Sequence, residues 1–366
     1  MTHASVGLGL PSFNNLAPYG WSPARNEAFR ISSPLGGEPG RIVAASRGLV
    51  LAQTAHGECW SVPTGRFRER LQRDGASLCA GDWITLQVNP GPSKASVIDL
   101  LPRSASLMRK GAGPGSRHQC LAANIEVVWL VMGLDLNFNP ARMERLLALA
   151  WGSGAQPVVV LTKRDLNPQW EAFATRIEGI APGAPVLAIS AYSGEGLDEL
   201  QDFLPEGHTA VMVGSSGAGK STLLNALMGS EVRRTKEIRV SDGRGRHTTS
   251  LRELFLLARG GCLIDTPGIR EVGLGAEGAD LDAAFSDIVD LAGDCRFRDC
   301  THGAEPGCAV QAALAEGSLD PDRHGHYLRL RREVAFEAAR SDEHLWRERE
   351  EKWRRISKLQ KQFKKG

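Results

Sequence analysis

Three rhythms succeed one another along the 366 residues. They predict a multidomain chain: an all-β barrel first, an α/β unit with a parallel sheet next, and a mostly helical segment last. Short punctuated apolar runs mark the first, strand–helix alternation the second, and a cysteine cluster followed by a long amphipathic stretch the third. At roughly 150 residues per domain, two or three domains are expected. Lys and Arg number 44 against 42 Asp and Glu, a net charge of +2. That balance excludes a uniformly polyanion-coating protein but leaves room for a local basic patch. No run approaches the roughly 18 apolar residues of a membrane-spanning helix. Met1 to Leu10 lack the basic start and apolar core of a signal peptide, so no membrane association and a cytoplasmic location are expected.

Residues 1–37 are dense in Pro, Asn, Ser and Gly and read as an extension, with a short helix near Ala24 to Arg30. A mobile arm and a functional segment both fit that composition. Over residues 38–104, Ile42–Ala45, Gly48–Ala52, Cys59–Val62, Trp83–Val88 and Val97–Leu101 are short runs separated by Gly, Pro, Asp or Asn, as strands are. Five short strands in so little chain suit a small barrel, with the oligonucleotide-binding (OB) fold as the natural candidate. Residues 105–120 read as a linker. Arg103, Arg109, Lys110 and Arg117 make this neighbourhood basic, either as a solvated loop or as a contact to phosphates.

Residues 121–288 alternate strands and helices. Val127–Met132 is continuously apolar, as a strand buried on both faces must be. Asn139 then caps a helix with Pro140 at its first position; Met143, Leu146, Leu147 and Ala150 give it one apolar face. Val158–Leu161, Val186–Ile189, Ala210–Val213 and Leu254–Leu257 are further strands, and the alternation argues for a parallel sheet covered on both faces. Residues 289–366 hold the cysteine cluster and a helix over Tyr327 to Lys365. Trp346, Trp353, Ile356, Leu359 and Phe363 form its apolar stripe, and from Lys352 onward it carries seven basic residues and no acid.

The chemistry concentrates in the α/β region. Gly214, Ser215, Ser216, Gly217, Ala218, Gly219, Lys220 and Ser221 match the P-loop pattern G-x-x-x-x-G-K-[ST]. The match follows a strand and opens a helix over Thr222–Met228, the context the motif requires. Glycines let successive N–H groups face phosphate oxygens, and the helix N-terminus favours the anion. Lys220 is suited to the β- and γ-phosphates and the Ser221 hydroxyl to Mg²⁺. Thr162, Lys163, Arg164 and Asp165 end another strand. Asp165 can accept from guanine N1–H and the N2 amine, donors that adenine lacks in that arrangement, and the Lys163 stem can pack along a base. Ser190 and Ala191 end the next strand, where a tight turn can offer an N–H to guanine O6. Asp265 and Gly268 form D-x-x-G, for Mg²⁺ through water and for the γ-phosphate.

These elements fall in an unusual order: the guanine motifs precede the phosphate loop. A doubly wound sheet survives circular permutation because its site is built from strand ends. Val232 to Ser250 has switch-loop character, with the hydroxyls of Thr248 and Thr249 available to Mg²⁺ and the imidazole of His247. The residue after Gly268 is Ile269, which cannot orient water as a Gln there does in many signalling GTPases. His247 is the candidate for that role, a plain loop residue or partner contact being the other reading.

Cys295, Cys300, His302 and Cys308 form C-x4-C-x-H-x5-C. Three thiolates and an imidazole complete a tetrahedral set for one structural Zn²⁺, against the alternative of buried or redox cysteines. Cys59, Cys79, Cys120 and Cys262 are scattered, and a disulfide framework is not expected in a long cytoplasmic chain.

Together these motifs resemble the ribosome small-subunit-dependent GTPase A family, the YjeQ-type circularly permuted GTPases of bacteria. The resemblance runs from about Gly40 to Lys365. It includes Gly81-Asp-Trp83, Leu121-Ala-Ala-Asn124, the stretch from Asn137 to Arg145, Gly245-Arg-His-Thr-Thr249 and the permuted order followed by the Cys3His cluster. It implies an OB-fold barrel, a circularly permuted P-loop GTPase domain and a C-terminal zinc-binding, mostly α domain. It implies GTP/GDP, Mg²⁺ and one zinc as ligands. It further implies a late assembly factor that hydrolyses GTP when docked on the small ribosomal subunit and its rRNA, with His247 at the proposed catalytic position and Cys295, Cys300, His302 and Cys308 on the zinc ligands. A monomer is the default. Thr162 stands where many relatives have Asn, a change expected to weaken loop anchoring. The rival reading is a nucleotide-gated RNA-binding module in which occupancy, not turnover, matters. Asp165 and Ser190-Ala191 disfavour a P-loop ATPase or small-molecule kinase.

Overall fold

The structure, a computed structural model, describes residues 13–32, 37–46, 48–87, 95–110, 118–229, 252–266, 278–303 and 305–341. The first strands are β1 (Glu38–Ser46), β2 (Leu49–Thr54), β3 (Gly57–Pro63), β4 (Trp83–Gln87) and β5 (Ala95–Leu100). They pair in the order β1-β2-β3-β5-β4, and β4 returns to β1, so the barrel is closed and OB-like. Ile42, Val50, Ala52, Ile84, Leu86 and Val97 fill it. Helix α2 (Gly65–Arg73), capped by Thr64, lies between β3 and β4. Its only buried side chain is Phe67, too little apolar signal for the sequence pattern to have revealed a helix.

The parallel core of the α/β region is β8 (Val127–Gly133), β9 (Gln156–Thr162), β10 (Val186–Ala188), β11 (Thr209–Val213) and β13 (Cys262–Asp265), arranged β10-β9-β8-β11-β13. The sheet is covered on both faces, and β8 shows how. Val128, Leu130 and Met132 point into one core and Val127, Trp129 and Val131 into the other, the two-residue alternation of a pleated strand. Helices α3 (Pro140–Trp151) and α4 (Trp170–Glu178) pack on the first face; α5 (Leu197–Asp202) and α6 (Lys220–Met228) pack on the second. The predicted cap is made: Asn139 Oδ1 accepts from Arg142 N at 2.9 Å.

β12 (Arg252–Leu256) departs from the expected all-parallel sheet, because it runs antiparallel to β13. Its other edge pairs with β1 at Ala44↔Glu253 and Ala45↔Arg252. A bulge between Ile42 and Ala44 divides β1 between β4 and β12, so the barrel and the α/β sheet form one run of eleven strands. The stretch expected as a linker also carries structure: β6 (Ser106–Lys110) and β7 (His118–Ala123) pair antiparallel, with Leu107, Cys120 and Leu121 buried. The basic residues had masked that apolar content.

Residues 13–32 are a packed segment. A 3-10 turn (Asn14–Tyr19) and α1 (Pro23–Ser32) bring Leu16, Trp21 and Phe29 against Trp83 and Leu101, with the Trp21 and Trp83 rings 4.9 Å apart. Arg41, fully buried, ties this segment to both sheets. It stacks over Trp83 at 5.2 Å and donates to Tyr19 O, to Asn124 O at 3.0 Å and to Thr209 Oγ1 at 2.8 Å.

On the carboxy-terminal side lie α7 (Gly278–Ala284), α8 (Ser286–Gly293), α9 (Ala309–Glu316) and α10 (Pro321–Ser341). α10 begins ahead of the predicted Tyr327; Trp346, Trp353, Ile356, Leu359 and Phe363 lie outside the described residues. Charge joins α10 to α3. Arg323 donates to Glu144 Oε1 at 3.0 Å and bidentately to Asp287 at 2.6 and 2.7 Å. His326 Nδ1 meets Glu144 Oε2, and Arg145 grips Glu333 at 2.8 and 2.9 Å. Glu144 is 1% exposed; burial pushes its carboxyl above the ordinary value, even against the pull of His326 and Arg323.

Candidate functional site

The chain builds β8, β9 and β10 outward in one direction, then returns to place β11 on the far side of β8. The gap between the carboxyl ends of β8 and β11 is therefore a topological switch point, where open α/β sheets take their ligands. The P-loop turns out of β11 at that point. Its glycines are required by contact: a Cβ on Gly214 would sit 2.2 Å from Val131 O. Gly219, at φ +90°, opens α6 from a left-handed conformation that side chains rarely adopt.

The loop is held from two neighbouring strands. Thr162 at the end of β9 donates through Oγ1 to Ala218 O at 2.6 Å. The expected weakening from Thr in place of Asn is thus met by a hydroxyl making the anchor. Lys163, itself at φ 65°, donates through Nζ to Gly217 O at 2.7 Å and to Asp135 Oδ2 at 2.6 Å. The Lys163 bond holds the Asp135 carboxyl below its ordinary range. From the loop after β8, Asn137 Oδ1 accepts from Ser215 Oγ at 3.0 Å and Asn137 Nδ2 donates to Ser216 O at 3.5 Å. Asp135 was not singled out in the sequence, and Asn137 only as part of a motif. Their signal is positional, since they follow the apolar strand that borders the P-loop strand.

Lys220 is folded back over the loop, donating to Gly214 O at 2.6 Å and Ser215 O at 2.7 Å. Burial pulls its ammonium below the ordinary value, and Asp265 opposes that shift. Asp265 ends β13 in register with Met212 of β11, and the Thr266 hydroxyl donates to Met212 O at 2.9 Å. Ser221 and Thr222 are exposed on the first turn of α6. On the other side, β9 and β10 are parallel neighbours, so Arg164 and Asp165 emerge beside Ser190 and Ala191. Asp165 is exposed. Ser190 is buried and its hydroxyl accepts from Ser193 N at 3.1 Å, while its backbone bonds to Gly194 and Glu195 close a tight turn. The phosphate-loop, Asp265 and guanine-motif residues thus share one carboxyl edge, despite their scrambled order in the chain. His247, Thr248, Thr249 and Gly268 lie outside the described residues.

The second predicted cluster is also assembled. The donor atoms of Cys295, Cys300, His302 and Cys308 all lie within 4.8 Å of one another. Cys295 Sγ is 3.9 Å from Cys308 Sγ, and each of those sulfurs is 3.7 Å from His302 Nδ1. A tetrahedral ion with bonds of about 2.3 Å to sulfur and about 2.0 Å to nitrogen asks for separations close to these, so the residues fit zinc. Cys308 caps α9 and its Sγ accepts from Gln311 N at 3.4 Å. Glu305 braces the loop through Thr301 Oγ1, Thr301 N and Gly303 N; these bonds, the Thr301 hydroxyl foremost, hold its carboxyl at about 2.

A P-loop at the switch point, with guanine motifs on strands that precede it in the chain, behind a closed barrel, defines a circularly permuted GTPase. The comparisons agree. A family model described as RsgA GTPase matches residues 100–275. Over 350 residues the chain is 39% identical to the small ribosomal subunit biogenesis GTPase RsgA of Opitutus terrae, covering 93% of this chain and 95% of that protein. It is 43% identical over 335 residues to the protein of the same name from Streptomyces coelicolor, covering 89% and 88%. Among solved structures it is similar to YjeQ from Thermotoga maritima, at a TM-score of 0.60 and 27% identity over 82% of this chain and 99% of that one. The chain belongs to the RsgA GTPase family, and the enzyme is a GTPase.

Proposed function

We propose that this GTPase binds the small ribosomal subunit, hydrolyses GTP to GDP and phosphate when docked there, and acts late in assembly of that subunit. The observation that carries the reading is the identity of about 40% across nine tenths of the chain to relatives named for small-subunit biogenesis. In this proposal residues 38–104 and the basic surface contact rRNA, residues 121–288 turn over nucleotide, and residues 289–366 hold zinc and extend the docking surface. The protein works as a monomer in the cytoplasm.

The roles follow from chemistry. Amides of Gly214 to Gly219 cradle the phosphates, and Lys220 leaves its two loop carbonyls for the β- and γ-oxygens, where it stabilises developing charge. Ser221, and Asp265 through water, would hold Mg²⁺, which would supply positive charge to neutralise the phosphate oxygens. Asp165 selects guanine by accepting from N1–H and N2, Ala191 N–H meets O6, and the Lys163 stem lies along the base. Gly268, Thr248 and Thr249 complete the γ-phosphate side. His247 orients the attacking water when the protein is docked on the subunit.

The test is GTP turnover by the purified protein alone, with small subunits, and with large subunits. Stimulation by small subunits alone supports the proposal, and His247→Ala then removes the stimulation while GTP still binds. Equal slow turnover in all three would transfer the argument to nucleotide-gated RNA binding. Asp165→Asn is expected to abolish the preference for GTP over ATP; an unchanged preference would overturn the guanine assignment.

A further inference from the structure

Two of the four cysteines that are scattered in sequence meet in space. Cys79 lies in the turn that leads into β4 of the barrel, and Cys120 lies on β7. Both are at most 2% exposed, and their Sγ atoms are 2.7 Å apart. That is closer than carbon atoms in ordinary contact, at about 3.5–4.0 Å, and about 0.6 Å longer than a sulfur–sulfur bond of about 2.05 Å. It is also too short for a shared tetrahedral metal ion, whose two thiolates, each bonded at about 2.3 Å, would lie about 3.8 Å apart.

The framework fixes both cysteines. Asp82, fully buried, accepts from Cys79 N at 2.9 Å and is itself clamped bidentately by Arg103 at 2.7 and 2.8 Å. Cys120 is registered against Met108 in the β6–β7 ladder, and Arg252 donates to its carbonyl at 3.2 Å. Cys79, but not Cys120, lines a groove of about 790 Å³ between the barrel and β12. Arg103 Nη2 is 3.9 Å from its sulfur.

We propose that Cys79 and Cys120 are a redox site: a small hydroperoxide entering by the groove converts them to a reversible disulfide that staples the barrel to β7. Cys79 sulfur attacks a peroxide oxygen, the O–O bond breaks, and Cys79 becomes a sulfenic acid as water or an alcohol leaves with the thiol proton. Cys120 sulfur then attacks the Cys79 sulfur and expels water. Two thiols lose two electrons, and the hydroperoxide is reduced by two. Burial, with the hydrogen bond to Cys120, pushes the Cys79 thiol up against the weaker pull of Arg103, so Cys79 rests as a thiol until oxidant arrives. Disulfides in reducing compartments are usually transient and catalytic or redox-sensing where they occur. The staple lands three residues from the end of β7, beside Asn124, whose Nδ2 already donates to Gly81 O of the barrel at 3.0 Å.

The experiment treats the full-length, zinc- and GDP-loaded protein with hydrogen peroxide. It then quenches, alkylates under denaturing conditions, digests without reductant and maps the peptides by mass. The expected result is a Cys79–Cys120 cross-linked peptide that dithiothreitol reverses. Cys262, equally buried but with its sulfur against Pro18 O at 3.6 Å, should stay alkylatable. In Cys120→Ser, dimedone should trap a sulfenic acid at Cys79. Persistence of both thiols while the half-exposed Cys59 oxidises would overturn the proposal. So would either cysteine joined to any other partner. The wild-type map decides the question even if the serine variant folds poorly.

Discussion

On its amino-terminal side the GTPase sheet is joined to its neighbour by backbone pairing; on its carboxy-terminal side it is joined by side chains alone, an apolar core shared with Phe285, Tyr327 and Leu330 and a charge network beside it. The barrel seam is a strand pairing, β1 with β12, backed by aromatic packing and by Arg41 bonding to neutral acceptors. The α3–α10 seam carries a charge network in which Arg323 and Glu144 are buried and His326 and Asp287 are partly exposed. Pairing of backbone groups has no charge to desolvate, although Arg41 lies fully buried beside it and burial pulls its guanidinium below the ordinary value. Burying Glu144 costs enough that its carboxyl is held above its ordinary value despite two basic partners. The difference teaches that the first seam is a permanent part of the sheet, whereas the second depends on every member keeping its partner.

The sharpest way to break the comparison is Arg323→Met. It leaves Glu144 buried with only His326 beside it and should cost about 3–5 kcal/mol, read by urea unfolding of the zinc-loaded protein. A loss under 1 kcal/mol, by the same reasoning about uncompensated buried charge, would show the network to be dispensable. Arg41→Met is next. It strands neutral acceptors instead of a charge and should cost about 1–3 kcal/mol, measured the same way; a larger loss than Arg323→Met would reverse the ranking of the two seams.

The smallest effect is expected from Glu144→Gln, which removes the costly charge while Arg323 keeps Asp287. A carboxyl raised above 4.5 on folding contributes stability that is present below that pH and lost as pH rises through the folded value. The wild type should therefore lose ground to Glu144→Gln as pH rises, in paired denaturation curves. The opposite slope would mean that attraction outweighs burial at this site.

Much of the nucleotide site was legible because its residues act locally. The P-loop needs Gly219 for its own backbone and Gly214 for its close approach to β8, and β8 advertises double-sided burial in every residue from Val127 to Met132. The four zinc-type donors sit within one short loop. What escaped detection depends on distant partners. Nothing near Asp135 says that it will clamp Lys163, and nothing near Cys79 announces Cys120. The run Leu254–Leu257 reads as a strand, but the direction of β12 (Arg252–Leu256) and its pairing with β1 depend on a bulge two hundred residues away. Helix α2 was missed because Phe67 alone is buried there, and residues 13–32 hid an aromatic cluster behind a loop-like composition.

The continuous run of eleven strands has a further consequence for how the protein behaves when crowded. An open sheet ends in two rows of unpaired amides and carbonyls, which invite another chain to add a strand. Here one end is rolled into the barrel, so β12 is covered by β1 and the barrel closes on itself. Among the described residues the other end is β10, three residues long. A ribbon so short offers little template, so the same bulge that joins two folding units also protects this sheet from edge-to-edge aggregation.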